Sequence, residues 1–283
     1  MKRAFCAMAF FAFIQIEDAG AGDRPDKSGY NFFRPTPDAL MREMETDRPD
    51  KTESAYTLDA GHYQIEMDIL AYTYDRTSDE TVKSLAIAPM NLKVGVLNNV
   101  DLQIIVESYN LQRTKDRAAG TTERVSGFGD LLLRCKTNVW GNDGGPTAMS
   151  VMPFVKLPTS ARGLGNDAVE GGIIFPFAMD LPCEWGLGAQ MEIDYLHDSN
   201  SSGYHPEVSS TMTVSHDIVG KLAGYMELFS NRSTERGADW IATFDFGFTY
   251  ALSRDVRFDA GMNIGLTAAA DDFNPFIGLS MRY

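Results

Sequence analysis

From Gly61 to the last residue, the chain alternates apolar and polar side chains, segment after segment, and that alternation leaves few folds open. Tyr63, Ile65, Met67, Ile69 and Ala71 fall on one side, with Gln64, Glu66 and Asp68 on the other. A period of two belongs to a strand with two unlike faces. Met90, Leu92, Val94 and Val96 repeat the pattern against Asn91 and Lys93, and Trp185 to Tyr195 repeat it against Glu184, Gln190, Glu192 and Asp194. About twelve such segments follow one another, each roughly 10 to 14 residues long, near the length a tilted strand needs to cross a bilayer. Strands of a water-soluble sandwich are usually only about 5 or 6 residues long. Short turns after Val96, Trp140, Met179, His216 and Ala251 alternate with longer loops, among them the polar stretch Gln112 to Ser126, expected to be irregular.

Composition agrees by exclusion. The 283 residues are 44% hydrophobic and carry a formal charge of −14. After the N-terminus there is no run of about 18 apolar residues, so no helical span is expected. An acidic surface repels phosphates, which argues against nucleic acid as a partner. Tyr63, Trp140, Trp185, Tyr195, Trp240 and Tyr250 stand near the ends of apolar faces, where interfacial girdles form.

The final stretch, Phe273 to Tyr283, is itself a strand with a greasy face and an aromatic end. It resembles the C-terminal insertion signal of bacterial outer-membrane barrels, which implies that Tyr283 engages the barrel-assembly machinery. Hydrocarbon cannot satisfy an open sheet edge, so this strand must pair with the first. The expected fold is all-β: one closed antiparallel transmembrane barrel of about 12 strands, with short periplasmic turns. It occupies residues 61–283, in the bacterial outer membrane, with outer-membrane lipid around it.

Residues 1–21 have the form of a secretory signal: Lys2 and Arg3, an apolar core from Ala4 to Ile14, and Ala19-Gly20-Ala21 at the cut. Residues 22–60 form a polar extension with an internal echo, Asp23 to Ser28 recurring as Asp47 to Thr52. Between the copies, Thr36 as N-cap and Pro37 at the first position open a short expected helix through Met44. Two readings of the extension stand side by side. It is a plug or docking segment in which Asp47, Arg48 and Asp50, with Arg24, pair with charges inside the barrel, or it is a solvated periplasmic linker.

The polar face assigns a tentative solute path: Glu66, Asp68, Asp101, Glu107, Asp130, Arg134, Lys136, Lys156, Glu170, Glu192, Asp194, Glu227, Asp245, Arg257 and Asp259. So many charges require pairing or water. Their acidic excess favours cations or neutral polar solutes over anions. Catalysis finds no support: His62, His197, His205 and His216 are scattered, and no nucleophile-elbow, HExxH or P-loop motif is present. No cofactor or zinc spacing appears, and Cys135 and Cys183 are expected to be small apolar residues rather than a bridge.

Asp47 to Ser54 followed by Asp59 to Glu66, Gly127-Phe128-Gly129-Asp130, and Pro153 to Thr159 resemble the outer-membrane transporter family labelled "MetA-pathway of phenol degradation". The likeness runs from about Thr46 to Tyr283. It implies passage of aromatic or other small hydrophobic compounds. The functional expectation is a passive channel for small-molecule solutes; the alternative is a non-conducting barrel that docks a periplasmic partner through its N-terminal segment.

Overall fold

The computed structural model describes residues 26–199 and 201–283. The signal sequence expected at Met1 to Ala21 and the echo residue Arg24 lie outside them. Twelve antiparallel strands close on themselves: β1 (Tyr63–Arg76), β2 (Glu80–Ile87 with Met90–Leu97), β3 (Val100–Val106 with Tyr109–Asp116), β4 (Thr122–Gly127 with Leu131–Trp140), β5 (Thr147–Leu157), β6 (Glu170–Leu181), β7 (Trp185–His197), β8 (Tyr204–Val219), β9 (Leu222–Ser233), β10 (Ile241–Ala251), β11 (Val256–Gly265) and β12 (Phe273–Arg282). Every neighbour in sequence is a neighbour in the sheet, and β12 closes on β1 with Gln64 opposite Arg282 and Tyr74 opposite Phe273. Tyr63 and Tyr283 exchange backbone hydrogen bonds at the seam. No described helix is long and apolar enough to cross a membrane.

β2, β3 and β4 are each interrupted once, and in β2 and β4 the interruption has a backbone cause. Between the halves of β2, Ala88 sits at φ 52° beside Pro89, which has no N–H to give the ladder. In β4 the break falls at Gly127, whose φ of 152° and lack of a side chain admit Ala161 from the following loop.

The burial pattern is the inverse of a soluble protein's. Lys136, Asp101 and Asp245 are 0% exposed and Glu66 and Glu227 1%, whereas Leu102, Met212, Met226, Leu228 and Phe248 are 45–52% exposed. Such a molecule is stable only with hydrocarbon outside. The aromatic residues expected in girdles are all on the outer surface, from Trp185 at 37% to Tyr195 at 58%.

Three expectations need correction. The helix from Thr36 is a single 3-10 turn, Asp38–Leu40, with no side-chain cap, and the Thr36 hydroxyl is buried without a partner. Beyond Met41 the backbone is bonded elsewhere: the Arg42 N–H donates to Asp59 of the same segment, while from the barrel Arg282 donates to the Arg42 carbonyl and Arg257 to that of Met44. Those bonds replace the i−4 partners a helix would need. The stretch Gln112 to Ser126 is not irregular but a hairpin that prolongs the wall, with Asn110 opposite Gly127 and Lys115 opposite Thr122. It is polar on both faces because it has left the hydrocarbon, so periodicity could not mark it. Cys183, in the turn between β6 and β7, is disulfide-bonded and not the free apolar residue expected; Cys135 is a free thiol on β4, so the two do not bridge each other, as expected.

Candidate functional site: a lumen crossed by the N-terminal segment

Residues 26–62 run from the rim into the barrel and back. Asn31 bridges to Leu97 and the Phe32 N–H donates to the Val96 carbonyl, fixing the entry at the short-turn end. Pro35 then packs over Gly61, whose φ of 77° suits glycine and where a Cβ would lie 2.7 Å from the proline ring. The segment leaves beside Gly95, where a Cβ would collide with the Asp59 carbonyl.

The second copy of the echo is the deepest part. Asp47 is held by Lys93 at 2.5 Å and by Lys136, and its N–H donates to Glu66. Arg48 spans two carboxylates, Asp68 at 2.6 Å and Asp259 at 2.8 Å. Lys51 pairs with Asp245 at 3.0 Å and donates to the Thr243 hydroxyl. The N–H groups of Lys51 and Thr52, and the Thr52 hydroxyl, donate to the Glu227 carboxylate. Glu53 accepts from Arg134 at 2.6 Å, and its N–H donates to Gln190. Breaking one partner of a pair this buried costs about 3–5 kcal/mol, because the other charge is stranded.

Nearer the rim, Asn138 and Ser150 both donate to the Ala55 carbonyl, and the Leu58 N–H donates to Asp101. Asp59, 1% exposed, is shared by Lys27 and Arg42, both of which also reach Asp143 in the turn after β4. Burial raises the Asp143 carboxyl, but hydrogen bonds from Lys27 and Asn98 and the charge of Arg42 outweigh it, and the net shift is downward.

The expected path residues divide in two. Glu66, Asp68, Asp101, Arg134, Lys136, Glu227, Asp245, Arg257 and Asp259 are all engaged by the N-terminal segment. Glu107, Asp130, Lys156, Glu170, Glu192 and Asp194 lie higher, untouched by it. Among them Lys156 joins Asp130 and Glu170, Asn110 donates to Glu107, and Gln190 donates to Glu192. One Asp194 oxygen is buried without a partner. Of the three expected plug contacts, Asp47 and Arg48 form ion pairs, whereas Asp50 has no cationic partner among the described residues and stands with Thr213 and Glu227. Sequence reasoning missed Lys27, Arg42, Lys51, Thr52, Glu53 and Asp59; they look like any solvated polar run. The echo, which includes Lys51 and Thr52, was the signal that pointed to part of them.

The segment reaches only part of the way up. Its deepest wall contacts, Thr211 and Thr243, lie eight positions from the short-turn ends of their strands. At about 3.3 Å per residue and with the usual tilt, that is about two thirds of a roughly 30 Å hydrocarbon core. Between Thr46–Tyr56 and the wall of β6 to β11 a cavity of about 550 Å³ remains, lined by Gly186, Gly188, Thr213, Ser215 and Tyr225 among others. The Tyr225 hydroxyl, buried, has no hydrogen-bond partner among the described residues.

Residues 46–283 match the family described as "Putative MetA-pathway of phenol degradation". The chain belongs to this family. No curated protein matches the sequence. Among solved structures, the COG4313 outer membrane channel from Pseudomonas putida F1 shares 12% identity at a TM-score of 0.61, covering 84% of this chain and 100% of that one. The NanC porin shares 11% identity at a TM-score of 0.49, covering 77% and 98%, and the CymD monoaromatic hydrocarbon channel 8% at 0.42, covering 78% and 87%. This family member therefore has the fold of an outer-membrane β-barrel, and its location is the bacterial outer membrane.

Proposed function

We propose that this family member is a passive outer-membrane channel for small organic solutes, neutral or cationic, whose N-terminal segment narrows the lumen from the periplasmic side. One observation carries the reading: a polar cavity of about 550 Å³ runs beside the segment, under a vestibule whose carboxylates outnumber its cations. Low-dielectric walls focus that negative potential and raise the local concentration of cations. Phe177, Met179 and Tyr225 line the same cavity, giving a small aromatic ring with a hydroxyl both apolar contact and a hydrogen-bond donor. That fits the phenol in the family description and the aromatic solutes of a solved channel of like fold.

No catalytic role is proposed. His62 bonds the Thr36 and Tyr283 carbonyls, and His216 stacks on Trp185, 4.7 Å between ring centres. Tyr283, 64% exposed at the rim, is free to meet the assembly machinery before the seam closes. Planar-bilayer recording on the refolded chain tests the channel: discrete conductance with potassium preferred over chloride is expected. A folded barrel that stays silent, with the N-terminal segment present and with it deleted, leaves the docking alternative in its place.

A further inference from the structure

Two loops on the long-loop side, one between β7 and β8 and one between β9 and β10, meet at the outer end of β8. Asp198, His205 and Glu235 each present one donor atom there, all within 4.8 Å of one another. His205 Nδ1 lies 2.9 Å from Asp198 Oδ1, and the residue is only 9% exposed. Its Nε2 has no partner among the described residues. Ser199 donates to Glu235 Oε1 through both its N–H and its hydroxyl, which draws that carboxylate across to the opposite loop.

A second observation points to a cation from below. His205 and Glu235 open onto a cavity of about 350 Å³ that also meets His197, Glu170 and Glu207. In the β7–β8 register Glu207 stands opposite Asp194, and Asp194, 9% exposed, keeps one buried carboxylate oxygen with no hydrogen-bond partner among the described residues. Lys156, on that side, is bonded to Glu170 and Asp130. Glu207 and Asp194 have no ion-pair partner among the described residues, and an imidazole above such carboxylates is a donor set suited to positive charge.

We propose that Asp198, His205 and Glu235 bind a divalent transition-metal cation of the zinc type at the outer mouth. One imidazole nitrogen and two carboxylates, with room for water as the remaining ligand, suit zinc or copper over magnesium or calcium, which prefer oxygen alone. On binding, His205 ligates through Nδ1 as the neutral ring with its proton on Nε2, so the hydrogen bond to Asp198 gives way to two metal bonds. The metal ties the β7–β8 loop to the β9–β10 loop over the vestibule. This site stands on the barrel geometry alone and does not need the lumen to conduct.

The test is equilibrium dialysis of the refolded full chain in detergent against zinc alone. About one zinc per chain is expected. Asp198→Asn, His205→Ala and Glu235→Gln should each weaken binding at least about tenfold, while His197→Ala leaves it unchanged. Heat-modifiable electrophoretic mobility reports that each variant is a folded barrel. Cobalt in place of zinc should give visible bands that shift in His205→Ala. Absence of stoichiometric binding by the parent chain, or equal binding by folded His205→Ala, overturns the proposal.

Discussion

Arg48 shows how much one side chain decides in this lumen. Its guanidinium is placed between Asp68 and Asp259, and Gly278 clears the space: a Cβ there would meet the guanidinium itself. Arg48→Ala strands Asp259, 2% exposed, at a cost of about 3–5 kcal/mol. The expected outcome is a folded barrel whose N-terminal segment has come loose, seen as a higher single-channel conductance. Asp143 governs the rim end by its charge. Its folded-state carboxyl is held below the usual value near 3.9. A depressed carboxylate stabilises above its unfolded value and loses that contribution as pH falls through its folded one. Amide exchange of residues 27–42, corrected for intrinsic rate, should therefore be unchanged from pH 7 to pH 5 and faster below about pH 4; Asp143→Asn should be fast throughout. Asp47 and Arg48 were legible because a repeated hexapeptide is improbable by chance. Asp59, Arg42 and Glu53 were not, because nothing local separates a buried charge from a solvated one until its partner, far along the chain, is known.

At the scale of the element, the strands were legible because each carries its own environment code, lipid on one face and lumen on the other. Elements without that contrast were not. The hairpin beyond the membrane is polar on both faces, and the short helix lost its backbone bonds to Arg257 and Arg282. The entry hook is of the same kind. Phe33, 91% exposed, packs edge-on against Phe32 at 5.1 Å, and Phe32 against the girdle residue Tyr63 at 6.4 Å. An aromatic pair continuous with the girdle belongs in the inner interface of the bilayer. Phe33→Trp in vesicles should be quenched by lipids brominated near the headgroup; emission as in water would place the hook in the periplasm instead.

For the whole molecule, closure and charge act together. The seam between β1 and β12 removes the sheet's edges, so all the polar wall charges face one enclosed space. There the N-terminal segment meets nine of the fifteen expected path residues and leaves the other six to the vestibule. Deleting residues 22–54 should raise conductance while electrophoretic heat-modifiability stays that of a barrel. In the full chain, Glu192→Gln with Asp194→Asn should lower the preference for potassium over chloride, read from the reversal potential in a salt gradient. An unchanged reversal potential would show that solute does not pass these two carboxylates.

The alternation of side chains by itself determined the barrel, its strand count and the side each residue faces, because a period of two against lipid has one solution. Only the tertiary structure decided what fills the lumen. The wall partners of Asp47, Arg48 and Glu53 lie 19 to 211 residues away, and such pairings are set by the closed shape of the wall, not by any local pattern.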